Sequence, residues 1–96
     1  MRVLQLIDSL EAGGAERMAI NYANSLGIRL AFSALAVTRK EGSLKEQLQE
    51  TIPYVFLQRK RTIDFHAVSK LKRFVKENDI AIVHAHGTSY FMAVML

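Results

Sequence analysis

Short apolar runs alternate with segments of helical periodicity along the whole chain, and this alternation constrains the fold most strongly. Four apolar runs have the length of strands, at positions 3–7, 30–37, 53–57 and 80–83. The first carries apolar residues on both faces, as expected for a parallel strand that helices cover on both sides. We therefore predict an α/β fold with a Rossmann-like parallel sheet and flanking helices.

The segments between the strands carry helical signals. After a glycine pair, apolar residues recur at helical spacing, and Gly27 supplies a stop signal. The predicted buried face of this helix is Ala15, Met18, Ala19, Tyr22, Ala23 and Leu26. Ser43 and Glu46 have the spacing of a capping box, which predicts a short helix ending near Thr51.

Two further helices follow. Asp64 can cap a helix that ends at positions 78–79. Its predicted apolar stripe is Phe65, Val68, Leu71 and Val75. Ser89 starts a last helix, whose apolar pattern reaches Leu96 without a cap or glycine. We therefore expect the chain to be a truncated part of a larger lobe.

Length and composition limit the class of protein. A chain of 96 residues can form one domain or part of one, but not two lobes with a cleft between them. Half of the residues are apolar, which is typical of folded proteins, and the absence of cysteine excludes disulfides and thiolate chemistry. The first apolar run is too short for a signal peptide. We expect a cytoplasmic protein.

Basic residues give the chain a net charge of +4. Arg59, Lys60 and Arg61 form one cluster, and Lys70, Arg73 and Lys76 share the polar arc of the next predicted helix. Such clusters either contact an anionic membrane, here the inner face of the plasma membrane, or form a solubilising surface. Aromatic residues do not alternate with these cations, which argues against a nucleic acid partner.

Two motifs are predicted to meet at one crevice. In the strand order 3-2-1-4, ligands bind beyond the carboxyl ends of strands 1 and 4. Gly13 and Gly14 follow strand 1, whereas His86 and Gly87 follow strand 4. The glycine pair could hold a diphosphate at a helix N-terminus, or could simply make a tight turn. A dinucleotide site is disfavoured because no complete G-x-G-x-x-G is present.

The spacing of His84 and His86 allows both side chains to point the same way. Such a pair can chelate a metal, but without cysteine or an obvious third ligand zinc is a poor candidate. We predict that His86, beyond the strand, hydrogen-bonds a ligand or transfers a proton. His84 is expected to be a strand histidine satisfied by packing and backbone contacts.

Four segments resemble the N-terminal domain of family 4 glycosyltransferases of the GT-B fold: RVL at 2–4, GGAER at 13–17, TRKEGSL at 38–44 and IAIVHAHG at 80–87. The resemblance implies that residues 1–96 are part of the acceptor-side lobe of a retaining enzyme, without its C-terminal donor-binding lobe. Such an enzyme moves a sugar from a UDP- or GDP-sugar to a saccharide or lipid-linked acceptor, in cell-surface polysaccharide or glycolipid synthesis. It implies no bound metal and no cofactor.

The resemblance also implies roles for individual residues. Gly13 and Gly14 match the loop that faces the donor diphosphate, and His86 matches the histidine near the reacting sugar. Arg17 is either a phosphate or acceptor contact or a solvated side chain. The family's turn after the first helix is not matched at 27–30, so its acceptor contacts do not transfer. We expect the fragment to be inactive alone.

Two alternatives of different kinds stay open at this point. A nucleotide-sugar epimerase or a phosphorylase can share the GT-B fold, because fold alone does not determine chemistry. A non-catalytic module that binds nucleotides or anions would account for the basic clusters.

Overall fold

The sheet of this computed structural model has four parallel strands: β1 (Arg2–Ser9), β2 (Phe32–Lys40), β3 (Tyr54–Phe56) and β4 (Ile82–Ala85). The structure describes the backbone of residues 1–96 and all side chains except those of Thr88 and Phe91. The strand order is β3-β2-β1-β4. This confirms the predicted fold class and the predicted order.

Helices lie on both sides of the sheet and bury two hydrophobic clusters. Leu4 and Leu6 of β1 belong to the cluster under α2 (Phe65–Glu77) and α3 (Tyr90–Val94). Ile7 belongs to the cluster under α1 (Gly14–Arg29). Because side chains alternate along a strand, β1 contributes apolar residues to both layers. No helix in the described part of the chain is long and apolar enough to cross a membrane.

The buried face of α1 differs from the predicted one. Ala19, Ile20 and Ala23 are buried, whereas Met18 and Tyr22 are 52% and 41% exposed. The face toward the sheet is therefore rotated toward Ile20. Because apolar residues occupy both arcs of this helix, periodicity alone could not determine which arc packs against the sheet.

Gly27 lies inside α1 and does not end it. A Cβ atom at this position would lie 2.5 Å from Cδ1 of Ile52. Glycine here makes room for a side chain of the core, and the prediction of a stop signal is wrong. The helix continues to Arg29.

Asp64 caps α2 as predicted, because its Oδ1 accepts a hydrogen bond from the Ala67 N–H at 3.2 Å. The buried residues of α2 are Ala67, Val68 and Leu71. Phe65, which was expected in the apolar stripe, is 74% exposed. The first turn of α2 therefore presents an aromatic ring to the surface.

The predicted capping box is wrong. Residues Ser43–Gln47 form a 3₁₀ helix whose cap is Gly42, with no side-chain hydrogen bond at the cap. A Cβ atom on Gly42 would collide with the backbone of Leu10 and Glu11. Leu44 N–H donates to the Leu10 carbonyl at 3.0 Å, so this turn packs directly on the loop between β1 and α1.

The last strand is shifted along the chain, and the last helix is shorter than the sequence suggested. Strand β4 begins at Ile82, two residues later than predicted, and therefore includes His84. A 3₁₀ turn at Gly87–Ser89 precedes α3. Gly87 has a φ of 61°, a conformation that favours glycine.

Candidate functional site

The carboxyl ends of β1 and β4 lie side by side. Leu6 pairs with Ala85, and the next residue, His86, donates its N–H to the Leu6 carbonyl at 2.8 Å. Because the two strands are parallel, the residues that follow them emerge at the same edge of the sheet. His86 therefore lies at the edge of the sheet where the predicted strand order placed it.

The side chain of His86 is buried against Gln5. The residue is 8% exposed, and its Nε2 lies 2.7 Å from Oε1 of Gln5, which is fully buried. When the neutral ring carries its hydrogen on Nε2, that atom donates to the amide oxygen and Nδ1 is left as the basic atom. Gln5 thereby determines which nitrogen of His86 can accept a proton.

Gln5 is a site residue that the sequence analysis did not identify. Its Nε2 is buried and has no hydrogen-bond partner among the described residues. A buried polar group in this state costs about 1–3 kcal/mol. The sequence signal that could have identified Gln5 is its position as a polar residue between Leu4 and Leu6, in the middle of a buried strand. A buried polar group without a partner calls for an explanation, and a role at a ligand site is one such explanation.

Three rings form a cluster on the α1 side of the sheet. The centroids of His84 and His86 are 4.2 Å apart, and those of Tyr22 lie 5.5 and 6.1 Å from them. The prediction that both histidines point the same way is confirmed. His84, which was expected to be satisfied by packing in the strand, is exposed, whereas His86 is buried.

The electrostatics of the cluster favour a neutral His86. Burial lowers the pKa of this histidine below its usual value, and the nearby charge of His84 lowers it further. A neutral imidazole can both donate and accept a hydrogen bond near pH 7. Among the described residues, no group of three or more His, Cys, Asp or Glu is arranged to hold a metal ion.

The glycine pair begins α1, and a carboxylate lies over it. Gly13 is the cap residue, and its extended backbone does not itself require glycine. A Cβ atom there would lie 2.6 Å from Oε1 of Glu16, whereas one on Gly14 would meet open space. Ser9 Oγ also donates to Glu16 Oε2 at 3.4 Å. An anion that approached Gly13 would therefore have to displace Glu16.

Arg17 lies on α1 at a different turn from the residue that contacts His86. Arg17 is exposed in the first turn, whereas His86 contacts Tyr22 in the third turn. Within the described residues, no hydrogen bond joins His86 to Gly13 or Gly14. The two motifs share an edge of the sheet without direct hydrogen bonding between them.

A second polar cluster lies at the ends of β1 and β2. Thr38 Oγ1 donates to Asp8 Oδ1 at 2.5 Å, and Arg59 Nη2 lies 3.6 Å from the same oxygen. The side chain of Arg59 is only 10% exposed, and its Nη1 donates to the Arg61 carbonyl at 3.0 Å. Arg59 therefore does not belong to the exposed basic surface that the sequence suggested, because its charge faces Asp8.

The remaining cations of that surface are accessible. Lys60 and Arg61 are exposed and line a cavity between β3 and α2. Arg73 and Lys76 are exposed on α2, whereas Lys70 Nζ donates to the Phe56 carbonyl at 2.8 Å. Lys70, one of the three cations predicted on the polar arc of α2, therefore already donates a hydrogen bond within the fold.

Comparisons with protein families, with curated proteins and with solved structures found no match.

Proposed function

We propose that this chain is the acceptor-side lobe of a GT-B glycosyltransferase. The observation that carries the proposal is a buried histidine, His86, which Gln5 orients at the edge where β1 and β4 meet. That edge is where doubly wound sheets bind their ligands. The four segments that resemble family 4 enzymes support the same conclusion.

In this proposal His86 acts on the sugar that is transferred. A lowered pKa keeps its ring neutral, so that it can hydrogen-bond a sugar hydroxyl without attracting the donor diphosphate. The donor would be a UDP- or GDP-sugar, and the acceptor a saccharide or a lipid-linked saccharide. The loop at Gly13 and Gly14 would face the diphosphate after Glu16 moves aside.

A membrane location is part of the proposal. Lys60, Arg61, Arg73 and Lys76 are exposed cations, each of which can contribute on the order of 1 kcal/mol near an anionic leaflet. Binding at the inner face of the plasma membrane would bring the lobe close to a lipid-linked acceptor. Arg59 is not part of this surface.

The test measures sugar transfer by the complete gene product, with His84 as the matched control for His86. We expect His86→Gln to lower kcat by about a hundredfold, the typical contribution of a positioned acid–base group. His84→Gln, at an exposed position, should change kcat only slightly. Equal losses in the two variants would contradict the proposed role, provided that both retain the wild-type melting temperature.

The 96-residue chain itself provides a second measurement. Because donor binding in this fold depends mainly on the other lobe, the chain should transfer no sugar and should bind UDP or GDP only weakly. Calorimetry that gave a sub-micromolar Kd for either nucleotide would contradict the lobe assignment. It would favour instead a module that binds nucleotides on its own.

A further inference from the structure

A cavity of about 360 Å³ lies between the β3–α2 loop and the first turns of α2. It is separate from the histidine cluster, because its lining comes from positions 57–70. Lys60, Arg61, His66 and Lys70 supply basic side chains to its wall, and Asp64 supplies the one carboxylate. The volume is in the range of small-ligand sites.

The positive charge of the cavity is not neutralised within the fold. Lys60, Arg61 and Lys70 carry three positive charges against the single negative charge of Asp64. In the described part of the chain, no carboxylate oxygen lies within 4.0 Å of these three cations. An anion that entered the cavity would therefore meet excess positive charge.

Asp64 is already engaged by the backbone. Its Oδ2 accepts from the Lys60 N–H at 2.9 Å, and its Oδ1 accepts from the Ala67 N–H. These bonds, first that of Lys60 and then that of Ala67, lower the pKa of the carboxyl group. Asp64 therefore fixes the loop against the start of α2. Lys60, Arg61 and Lys70 remain available at the cavity wall to bind an external anion.

The backbone of the loop and the ammonium group of Lys70 are held in place before any ligand binds. The buried Arg59 anchors the loop, because its N–H donates to the Thr38 carbonyl at 2.6 Å and its guanidinium donates to the Arg61 carbonyl. Lys70 Nζ is fixed on the Phe56 carbonyl, and two of its three donors are left over. Such preorganisation reduces the entropy lost on binding.

We propose that this cavity binds a phosphate group, in a monoester, a diphosphate or a lipid headgroup. The planar fork of Arg61 suits two phosphate oxygens, and the ammonium groups of Lys60 and Lys70 add point charges. The exposed apolar side chains of Ile63 and Phe65 lie at the same cavity and could contact the organic part of the ligand. This site does not depend on sugar transfer, and it gives Lys60 and Arg61 of the proposed membrane surface a specific ligand.

The first experiment titrates the chain with inorganic pyrophosphate and follows backbone amides by NMR. We expect saturable shifts concentrated at positions 58–66. A Lys60→Ala/Arg61→Ala variant should weaken this binding at least about tenfold. The control is Arg29→Ala/Lys72→Ala, which removes the same charge from exposed positions outside both the cavity and the proposed membrane surface, and it should leave the Kd nearly unchanged.

The second experiment replaces pyrophosphate with vesicles, and it separates the two sources of phosphate. Phosphatidylcholine vesicles with one fifth phosphatidic acid are compared with pure phosphatidylcholine. Saturable binding of pyrophosphate indicates a soluble phosphorylated ligand, whereas cavity-dependent binding to the acidic vesicles alone indicates a headgroup. Equal weakening in both double variants, or binding to neither probe, would overturn the proposal. Melting temperatures of both variants verify that they fold.

These outcomes are independent of the glycosyltransferase assay. Loss of phosphate binding would leave the proposed role of His86 untouched, because that residue does not line the cavity. Conversely, a His86 variant with normal sugar transfer would not affect the proposed phosphate site.

Discussion

Replacing Arg59 with alanine should destabilise the fold, whereas the same change at its neighbour Lys60 should not. The side chains of Arg59 and Asp8 are only 10% and 17% exposed and form an ion pair at 3.6 Å. Arg59→Ala leaves a mostly buried carboxylate with less compensation and also removes the guanidinium bond to the Arg61 carbonyl. Lys60 is exposed, and its backbone N–H, which binds Asp64, survives the substitution.

The magnitude follows from the burial of the pair. Removal of one partner from a buried ion pair typically costs about 3–5 kcal/mol. Because both side chains keep some contact with solvent, we expect a cost of about 3 kcal/mol at the low end of that range. For a domain of this size, that corresponds to a decrease in Tm of roughly 12–24 °C. Lys60→Ala should change the free energy of unfolding by less than about 0.5 kcal/mol.

Urea unfolding followed by circular dichroism measures both variants directly. A double-mutant cycle with Asp8→Ala tests the mechanism, because the double variant should cost less than the sum of the single ones. Free energies of unfolding for Arg59→Ala and Lys60→Ala that agree within about 1 kcal/mol would refute the reasoning. The result also affects membrane assays, since a variant that lacks all of Arg59, Lys60 and Arg61 would confound lost charge with lost stability.

Two further predictions concern the glycines and pH. Gly42→Ala should cost about 2–4 kcal/mol in urea unfolding, because the new Cβ atom would collide with the backbone of Leu10. Gly14→Ala should be neutral or slightly stabilising, because its Cβ atom would meet open space. Equal costs for the two variants would contradict the close contact at Gly42. Since the pKa of His86 is lowered in the fold, the unfolded chain binds more protons below pH 6.5, so stability should decrease as the pH falls through 6.5 toward the lowered pKa. This decrease should be smaller in His86→Gln, and an unchanged pH profile would count against burial of the ring.

The fold could be predicted because its signals are local. Apolar runs and helical periodicity gave the four strands, the usual arrangement of doubly wound sheets gave their order, and Asp64 was identified as a cap from its position alone. The buried face of α1 could not be predicted, because Met18 and Ile20 are both apolar and only contact with the sheet distinguishes them.

The sequence predicted only part of the candidate site, because the rest depends on contacts between residues that are distant along the chain. His86 follows a recognisable strand, so its place at the edge of the sheet could be inferred. Its burial against Gln5 depends on a contact between residues far apart in sequence. In the same way, a run of cations gives no indication that Arg59 turns inward to Asp8 while its neighbours stay exposed. The glycosyltransferase assignment stays a prediction.

The backbone contact at Gly42 also determines how the loop after β1 can move. Leu10 N–H donates to the Lys40 carbonyl at 3.2 Å, and the Leu10 carbonyl accepts from the Leu44 N–H at 3.0 Å. These bonds tie the base of the loop between β1 and α1 to the end of β2 and to the 3₁₀ helix that follows it. Amide hydrogen exchange should therefore show Leu10 and Leu44 opening as a single cooperative unit. Positions 11–13 lie beyond this tie, so a change in their backbone need not alter the register of β1 and β2.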